Sequence, residues 1–215
     1  MLKYCISLLF IVGLPDLVSS AVPKIFLIRH AEVNLGKPGW GTTRDAAQYK
    51  KEYNFAPVKR FAPDKILKKI DNFELIDTIF CSPQSRATET TKSIFSDRIT
   101  LLTDSALAEF DYPVIRFPVL QLPVKTWLLL SRASWSLNLN NREGAFYKQR
   151  KEELEVFSHN LVRFANHHGI VVVVAHGMVN RELIKILKKN GWRLCSPGYA
   201  CYENLSVNCL KKELN

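Results

Sequence analysis

The chain has 215 residues, of which 47% are hydrophobic and 23% are charged, a composition that excludes a disordered or fibrous protein. This length fits one globular domain with a sizeable core. The formal net charge of +10 favours anionic partners such as phosphorylated metabolites, anionic lipid headgroups or nucleic acid. Because the lysines are scattered and no basic strip with interleaved aromatic residues occurs, we expect no nucleic-acid binding.

Residues 1–20 differ in character from the rest of the chain. They begin with a positive Met1-Leu2-Lys3, continue as an apolar run over residues 5–14, and reach small residues just before Ala21. This order is typical of a secretory signal peptide, and the apolar run is too short to span a membrane. A buried N-terminal strand or helix is the alternative. We therefore predict a secreted or periplasmic protein without a membrane span, whose mature domain covers residues 21–215.

The first predicted strand of that domain is followed by two polar side chains. The apolar run 25–28 has the length of a buried strand, and Arg29 and His30 follow it at once. In open α/β sheets, ligands bind outside the carboxyl ends of the strands. The sequence therefore predicts that this arginine and this histidine reach a binding cleft.

Apolar strands and amphipathic helices alternate along the rest of the chain. The predicted strands after the first are 75–81, 99–102, 170–175 and 205–210. The predicted helices are 44–53, 64–72, 83–95, 124–131, 146–167 and 178–189. Thr42 or Thr43 can cap the first of these, and Ser82 can cap the third, with Pro83 at its first position. This alternation indicates an α/β fold, a three-layer α/β/α sandwich with a mostly parallel central sheet.

Residues 112–144 are the least regular part of the domain. Pro113, Pro118 and Pro123 punctuate them, and aromatic residues and arginines are mixed in. Long irregular segments in compact domains are commonly lids or binding loops. We therefore predict a lid-like insertion over the cleft, containing the short helix 124–131, and we call residues 112–144 the insertion segment.

The cysteines provide no metal or redox motif, because no Cys-x-x-Cys pair occurs. Cys81 lies in a predicted apolar strand and is expected to be a small buried residue. Export would permit a disulfide among Cys195, Cys201 and Cys209, and the sequence leaves the pairing open.

Three strand-end motifs together resemble one known family, the histidine phosphatase superfamily, which is also called phosphoglycerate mutase-like. The first is Arg29-His30-Ala31. The second is Ser82-Pro83-Gln84-Ser85-Arg86-Ala87-Thr88-Glu89-Thr90, which matches the family pattern Ser-Pro-x-x-Arg-Ala-x-x-Thr. The third is the β run over residues 171–175 that ends in His176-Gly177. The resemblance covers roughly residues 24–210, and the family's usual glycine is replaced by Ala31.

The resemblance implies a role for each matching residue. His30 would attack phosphorus as a neutral imidazole and form a phosphohistidine. Arg29 and Arg86 would bind the phosphoryl oxygens, since planar guanidinium groups suit bidentate contacts with oxyanions. His176 would also bind the phosphoryl group and donate to an oxygen in the transition state. Water would then release phosphate from the phosphohistidine.

A general acid is also needed to protonate the leaving oxygen. The family places an acidic residue after its third strand, commonly in a Leu-x-Glu setting, which Leu107-Ala108-Glu109 fits. Asp111 is the local competitor, and we favour Glu109 as the third catalytic residue beside His30 and His176.

These assignments predict an exported phosphoric monoester hydrolase of the histidine acid phosphatase type, acting on a small-molecule phosphomonoester. One alternative is a phosphotransferase of the phosphoglycerate mutase type. Another is a non-catalytic member of the fold that only binds phosphate. No cofactor and no metal site are expected, because no cluster of metal-ligating residues is visible in the sequence.

Overall fold

A computed structural model describes residues 22–95, 99–117, 119–137, 139, 147–196 and 203–212. The predicted signal peptide, Cys201 and parts of the insertion segment lie outside these residues. The strands are β1 Lys24–Arg29, β2 Trp40–Gly41, β3 Thr78–Cys81, β4 Thr100–Thr103, β5 Leu122–Pro123, β6 Ile170–Ala175, β7 Trp192–Leu194 and β8 Val207–Lys212. The α-helices are α1 Thr43–Phe55, α2 Asp64–Leu67, α3 Ser85–Phe95, α4 Val124–Ser136, α5 Tyr147–His168 and α6 Gly177–Lys189.

The main sheet has six strands in the order β4-β3-β6-β1-β8-β7. The first four of these strands run parallel, while β8 pairs antiparallel with β1 and β7 antiparallel with β8. β1 and β6 are therefore adjacent central strands, and their carboxyl ends lie side by side. This arrangement confirms the predicted mostly parallel sheet.

Alternating side chains of the central strands form two cores. Ile25, Leu27 and Val173 pack with apolar residues of α5 and α6 on one face of the sheet. Phe26 and Val174 pack with residues of α2 and α3 on the other face. Because central strands are covered on both sides, their sequences are apolar throughout. The result is the predicted three-layer α/β/α sandwich.

Two predicted elements are shorter in the structure than expected, and one observed strand was missed. The helix predicted for 64–72 ends at Leu67, because the next backbone bonds join residues three apart, Lys69 to Ile66 and Ile70 to Leu67. The strand predicted for 75–81 starts only at Thr78, after a short 3₁₀ helix, Phe73–Leu75. The three-residue strand β7 was not predicted.

The start of the third helix, α3, was also predicted too early. Ser82 and Pro83 were expected to cap and begin a helix, but α3 begins at Ser85. The backbone N–H of Ser82 donates to the Val174 carbonyl oxygen at 3.0 Å, so this residue still belongs to the edge of the sheet. The buried side chains of α3 include Arg86, Ala87 and Ile94.

α4 of the insertion segment packs on α1. Ala46 of α1 lies in a small apolar cluster with Val124 and Trp127. The Trp127 indole N–H donates to the Gly41 carbonyl oxygen at 2.9 Å. The short strands β2 and β5 pair antiparallel beside this cluster. The segment is thereby attached to the start of α1, and its helix extends five residues beyond the predicted end at residue 131, to Ser136.

A disulfide joins Cys195 and Cys209, which settles the pairing among the described cysteines. Cys81 is buried with a free thiol, as predicted. Among the described residues, no helix combines the length and apolar character needed to cross a membrane.

Candidate active site

Two histidines meet at the carboxyl edge of the sheet. The His30 backbone N–H donates to the Ala175 carbonyl oxygen at 3.0 Å, which joins the end of β1 to the end of β6. His176 follows Ala175 directly. The two imidazole rings therefore lie side by side, with centroids 5.0 Å apart, and both are almost completely buried.

The hydrogen bond of His30 identifies its reactive nitrogen. Nδ1 lies 2.7 Å from the Ala31 carbonyl oxygen, and a carbonyl only accepts, so Nδ1 carries the proton. Nε2 then holds the free lone pair. Burial lowers the pKa of His30 from 6.5 to about 3; the Ala31 bond opposes this shift, and the charges of Arg86 and Arg29 add to it. The ring is therefore a neutral potential nucleophile at neutral pH.

His176 is held by a serine of the second motif. Its Nε2 lies 2.7 Å from the Ser82 hydroxyl oxygen, which also accepts the Gln84 backbone N–H at 3.3 Å. The hydroxyl proton is thus available to His176 Nε2, which leaves the ring proton on Nδ1. Within the described residues this buried Nδ1 has no hydrogen-bond partner. Burial, with Arg86 next, holds the pKa of His176 well below its usual range.

Arg86, in the first turn of α3, is almost fully buried. Its Nη1 donates to Asn54 Oδ1 at 3.1 Å and its Nη2 to Gln84 Oε1 at 3.0 Å. The guanidinium carbon lies 5.3 Å from the centroid of the Tyr53 ring. Its Nε has no partner among the described residues. The group is therefore oriented by neutral acceptors, and its charge remains available to an anion.

Thr90 connects α3 to the loop after β1. Its hydroxyl donates to the Arg86 carbonyl oxygen at 2.6 Å and accepts the Ala31 N–H at 2.9 Å. Ala31 is buried and lies beyond the end of β1, so its N–H needs an acceptor outside the sheet. Thr90 therefore fixes the backbone that holds His30 relative to the helix that holds Arg86.

Arg29 lies at the same edge of the sheet and is half-buried. Its backbone N–H donates to the Ser206 carbonyl oxygen at 3.0 Å. Its positive charge contributes to the lowered pKa of His30 and of His176. The side chain is thus within electrostatic reach of both imidazoles, as the prediction requires.

The two candidate acids lie in different surroundings. The Glu109 backbone N–H donates to Gln84 Oε1 at 3.2 Å, and its Oε1 accepts the Phe110 N–H. Burial raises the pKa of Glu109, while the charges of Arg132, Arg86 and Arg29 oppose the rise. Asp111 instead is exposed and forms an ion pair with Lys50. Of the two carboxyl groups, the structure brings Glu109 to the arginines.

Three contributors to this site were not identified from the sequence. Gln84 joins Arg86 to Glu109, but it occupies a variable position of the second motif. Asn54, near the end of α1, carries no local signal. Arg132 of α4 is the charged residue that lowers the pKa of Glu109 most. Its guanidinium carbon lies 5.1 Å from the centroid of the Tyr112 ring. The sequence offered only a weak signal for Arg132, an arginine among the aromatic residues of the insertion segment.

The arrangement suits a tetrahedral anion. The charges of Arg29 and Arg86 act on two neutral imidazoles. The Glu109 carboxyl group lies within electrostatic reach of both arginines and of Arg132. In the part of the chain that the structure describes, no group of three or more His, Cys, Asp or Glu side chains is placed to hold a metal ion.

The family comparison agrees with this geometry. Residues 25–213 match the model of the histidine phosphatase superfamily (branch 1). The chain therefore belongs to this superfamily, as the three motifs predicted. A comparison with curated proteins found no match to this sequence.

Solved structures of the same fold include several phosphatases. A phosphoserine phosphatase from Entamoeba histolytica, crystallised with phosphoserine, is 17% identical, with a TM-score of 0.53 over 86% of this chain and 89% of that one. The ecdysone phosphate phosphatase of Bombix mori is 12% identical, with a TM-score of 0.52 over 87% and 88%. YhfR of Bacillus stearothermophilus is 16% identical, with a TM-score of 0.51 over 77% and 80%. At these identities the likeness shows a shared fold.

Proposed function

We propose that this chain is an exported phosphomonoesterase that hydrolyses a small phosphorylated substrate through a phosphohistidine at His30. The observation that carries the proposal is the pair of buried imidazoles with centroids 5.0 Å apart. His30 carries its lone pair on Nε2, and His176 Nδ1 has no hydrogen-bond partner among the described residues. Superfamily membership and the phosphatases that share the fold support the same reaction class.

In the first step, the lone pair of His30 Nε2 attacks phosphorus. The N–P bond forms as the bond between phosphorus and the leaving oxygen breaks, and Glu109 gives its proton to that oxygen. The raised pKa of Glu109 favours the protonated form that this step needs. The alcohol then departs.

In the second step, water attacks the phosphohistidine. The Glu109 carboxylate takes one proton from the water. The water oxygen bonds to phosphorus as the N–P bond to His30 breaks. Phosphate is released, and both His30 and Glu109 return to their starting protonation states. No redox partner or second substrate is required.

The remaining groups stabilise charge. Arg29 and Arg86 bind the phosphoryl oxygens throughout the reaction. The Nδ1–H of His176 donates to an oxygen on which negative charge increases in the transition state. Because Arg86 is already oriented by Asn54 and Gln84, little reorganisation accompanies the reaction.

Two observations support export. The pattern of residues 1–20 is that of a signal peptide. The disulfide between Cys195 and Cys209 is a bond that persists mainly in oxidising compartments such as the periplasm. Cell fractionation of a tagged full-length chain, followed by N-terminal sequencing, tests the location and a mature start near Ala21.

The reaction is tested with a panel of phosphomonoesters that includes p-nitrophenyl phosphate, sugar phosphates and phosphoglycerates. We expect EDTA-insensitive release of phosphate. His30→Ala should lower turnover by several orders of magnitude, whereas His159→Ala, which removes an exposed histidine of α5, should leave it unchanged. Labelled substrate should also produce an acid-labile phosphoenzyme in the wild type and none in His30→Ala.

The same panel distinguishes the alternatives. Transfer of the phosphoryl group between phosphoglycerates in preference to water would identify a mutase-type phosphotransferase. Tight phosphate binding without turnover or phosphoenzyme would identify a non-catalytic member of the fold. Either result would replace the proposed function.

A further inference from the structure

Large apolar side chains are exposed mainly in one part of the described chain, the insertion segment. A monomeric protein rarely leaves a contiguous apolar patch without a use for it. The exposed members of the segment are Phe117, Val119, Leu120, Leu129, Leu130, Leu137 and Leu139.

α4 presents apolar residues on opposite faces. Val124, Trp127 and Trp135 are buried against the body of the protein. On the outer face, exposed residues recur at a spacing of four, from Lys125 through Leu129 to Leu137. A surface helix usually carries polar residues there. The end of this face extends to Leu139, whose N–H donates to the carbonyl oxygen of Ser134 at 2.9 Å.

The charge of the segment is mainly positive, because its four arginines and lysines outnumber its single acidic residue, Glu143. Its sequence from Tyr112 to Arg142 contains no aspartate and no glutamate, while exposed Arg116 and Lys125 flank the apolar residues. An apolar surface with basic neighbours is complementary to an anionic lipid interface, which offers acyl chains beside phosphate groups.

A cavity of about 1270 Å³ lies between α1 and the insertion segment. The wall from α1 is mainly basic and includes Arg44, Lys50 and Lys51, of which Lys50 pairs with Asp111, another lining residue. The wall from the insertion segment is largely apolar and includes Val114, Ile115 and Phe117. Asn54 also lines the cavity, and its side chain accepts the hydrogen bond from Arg86. The cavity therefore extends to a hydrogen-bond partner of Arg86.

From these observations we infer that the substrate is a phosphomonoester of a lipid, taken from an anionic lipid interface through the insertion segment. The inference rests on the proposed function and specifies its substrate class. The phosphoryl group occupies the site of His30 and Arg86, the polar headgroup lies along α1, and the acyl chain lies along Phe117 and the outer face of α4.

Two substrates that differ only in the acyl chain test the inference. Oleoyl lysophosphatidic acid and sn-glycerol 3-phosphate are compared in the same non-ionic detergent micelles. We expect kcat/KM to be at least about 10-fold higher for the lipid, a modest part of what burial of several methylene groups can contribute. Leu129→Ser/Leu130→Ser should remove most of that preference without changing turnover of glycerol 3-phosphate.

Val156→Ser is the matched control, because Val156 and Leu129 are each 66% exposed and Val156 lies on α5. It should leave both rates unchanged. Equal kcat/KM for the two substrates, or equal effects of the two sets of substitutions, would overturn the inference. A dimer in light scattering that dissociates in Leu129→Ser/Leu130→Ser would also overturn it, because a second copy would then cover the apolar face.

A binding measurement separates this inference from the proposed function. His30→Ala should still float with phosphatidylcholine vesicles that contain lysophosphatidic acid, and Leu129→Ser/Leu130→Ser should not. Vesicle binding without hydrolysis of any phosphomonoester by the wild type would refute the proposed function alone. Hydrolysis of p-nitrophenyl phosphate without vesicle binding or lipid preference would refute the lipid inference alone.

Discussion

The Ser82 hydroxyl oxygen lies 2.7 Å from Nε2 of His176, a residue 94 positions away in the chain. Because the same oxygen accepts the Gln84 N–H, the hydroxyl proton points to the imidazole. Ser82 therefore sets which ring nitrogen of His176 carries the proton. It acts through the histidine and has the role of a positioning residue.

Replacing Ser82 tests this role. Ser82→Ala should lower kcat by about 10-fold to 100-fold, less than the loss of a direct oxyanion donor. Ser82→Thr, which keeps a hydroxyl group, should recover most of the activity. Nitrogen-15 NMR should show a changed tautomer of His176 in Ser82→Ala. An unchanged tautomer with reduced kcat would instead assign Ser82 a purely structural role.

Substitutions of Glu109 and Asp111 distinguish the two candidate acids. Glu109→Gln should lower kcat for an alkyl phosphate by about 10²-fold to 10⁴-fold, because the leaving alkoxide needs a proton. The loss should be much smaller for p-nitrophenyl phosphate, whose leaving group is a weak base. Asp111→Asn, which removes only an exposed partner of Lys50, should change neither rate appreciably. Equal losses on both substrates would argue against proton transfer by Glu109.

The buried histidines predict how stability depends on pH. Burial lowers the pKa of His30 from 6.5 to about 3 and also lowers the pKa of His176. At pH values between the ordinary pKa of histidine and these lowered pKa values, the two rings bind more protons in the unfolded chain than in the folded chain. Their contribution to the free energy of unfolding is therefore complete above pH 6.5 and is lost as the pH falls towards 3.

Denaturant unfolding at a series of pH values between 7 and 4 measures this effect. We expect the loss to reach a few kcal/mol, partly offset by Glu109, whose raised pKa acts in the opposite direction. His30→Asn should flatten the pH dependence, and His159→Ala should preserve it. The same slope in His30→Asn and the wild type would contradict the assignment.

The disulfide links two antiparallel strands, β7 and β8. Cys195 follows β7, and Cys209 lies in β8, at a sequence separation of 14 residues. Opening a loop of this size should lower the free energy of unfolding by about 3 kcal/mol. Thermal unfolding with and without dithiothreitol measures the change. The double variant Cys195→Ser/Cys209→Ser should have the Tm of the reduced wild type both with and without dithiothreitol. A wild-type Tm unaffected by reduction would count against the bond.

The parts of the site that follow parallel strands could be predicted from sequence. Apolar runs that end in polar residues identify a strand and its carboxyl end, so His30 and His176 could be assigned to one edge. Capping chemistry located α1 well: Thr42 forms its N-cap and Asp45 completes a capping box.

Contacts between distant residues could not be predicted in the same way. Ser82 and Pro83 have the local pattern of a helix start, but bonds to Val174 and His176 hold Ser82 at the sheet and delay α3. Asn54 contributes through its position near the end of α1, which only tertiary packing determines. β7 is too short for a periodic pattern, and its pairing with β8 defines it.

Gly41 lies where the insertion segment and α1 meet, and it has no room for a side chain. A β-carbon there would lie 2.8 Å from Cβ of Asp45 and 2.9 Å from its Oδ2, the oxygen that accepts the Thr42 N–H. Its carbonyl oxygen meanwhile accepts the Trp127 indole N–H. Any larger residue would therefore displace both the first turn of α1 and the hydrogen bond that holds Trp127 of α4. Substitutions in the insertion segment, which would select the leaving group, are thereby coupled to α1, the helix that orients Arg86 through Asn54. Substrate specificity and turnover are therefore expected to change together during evolution.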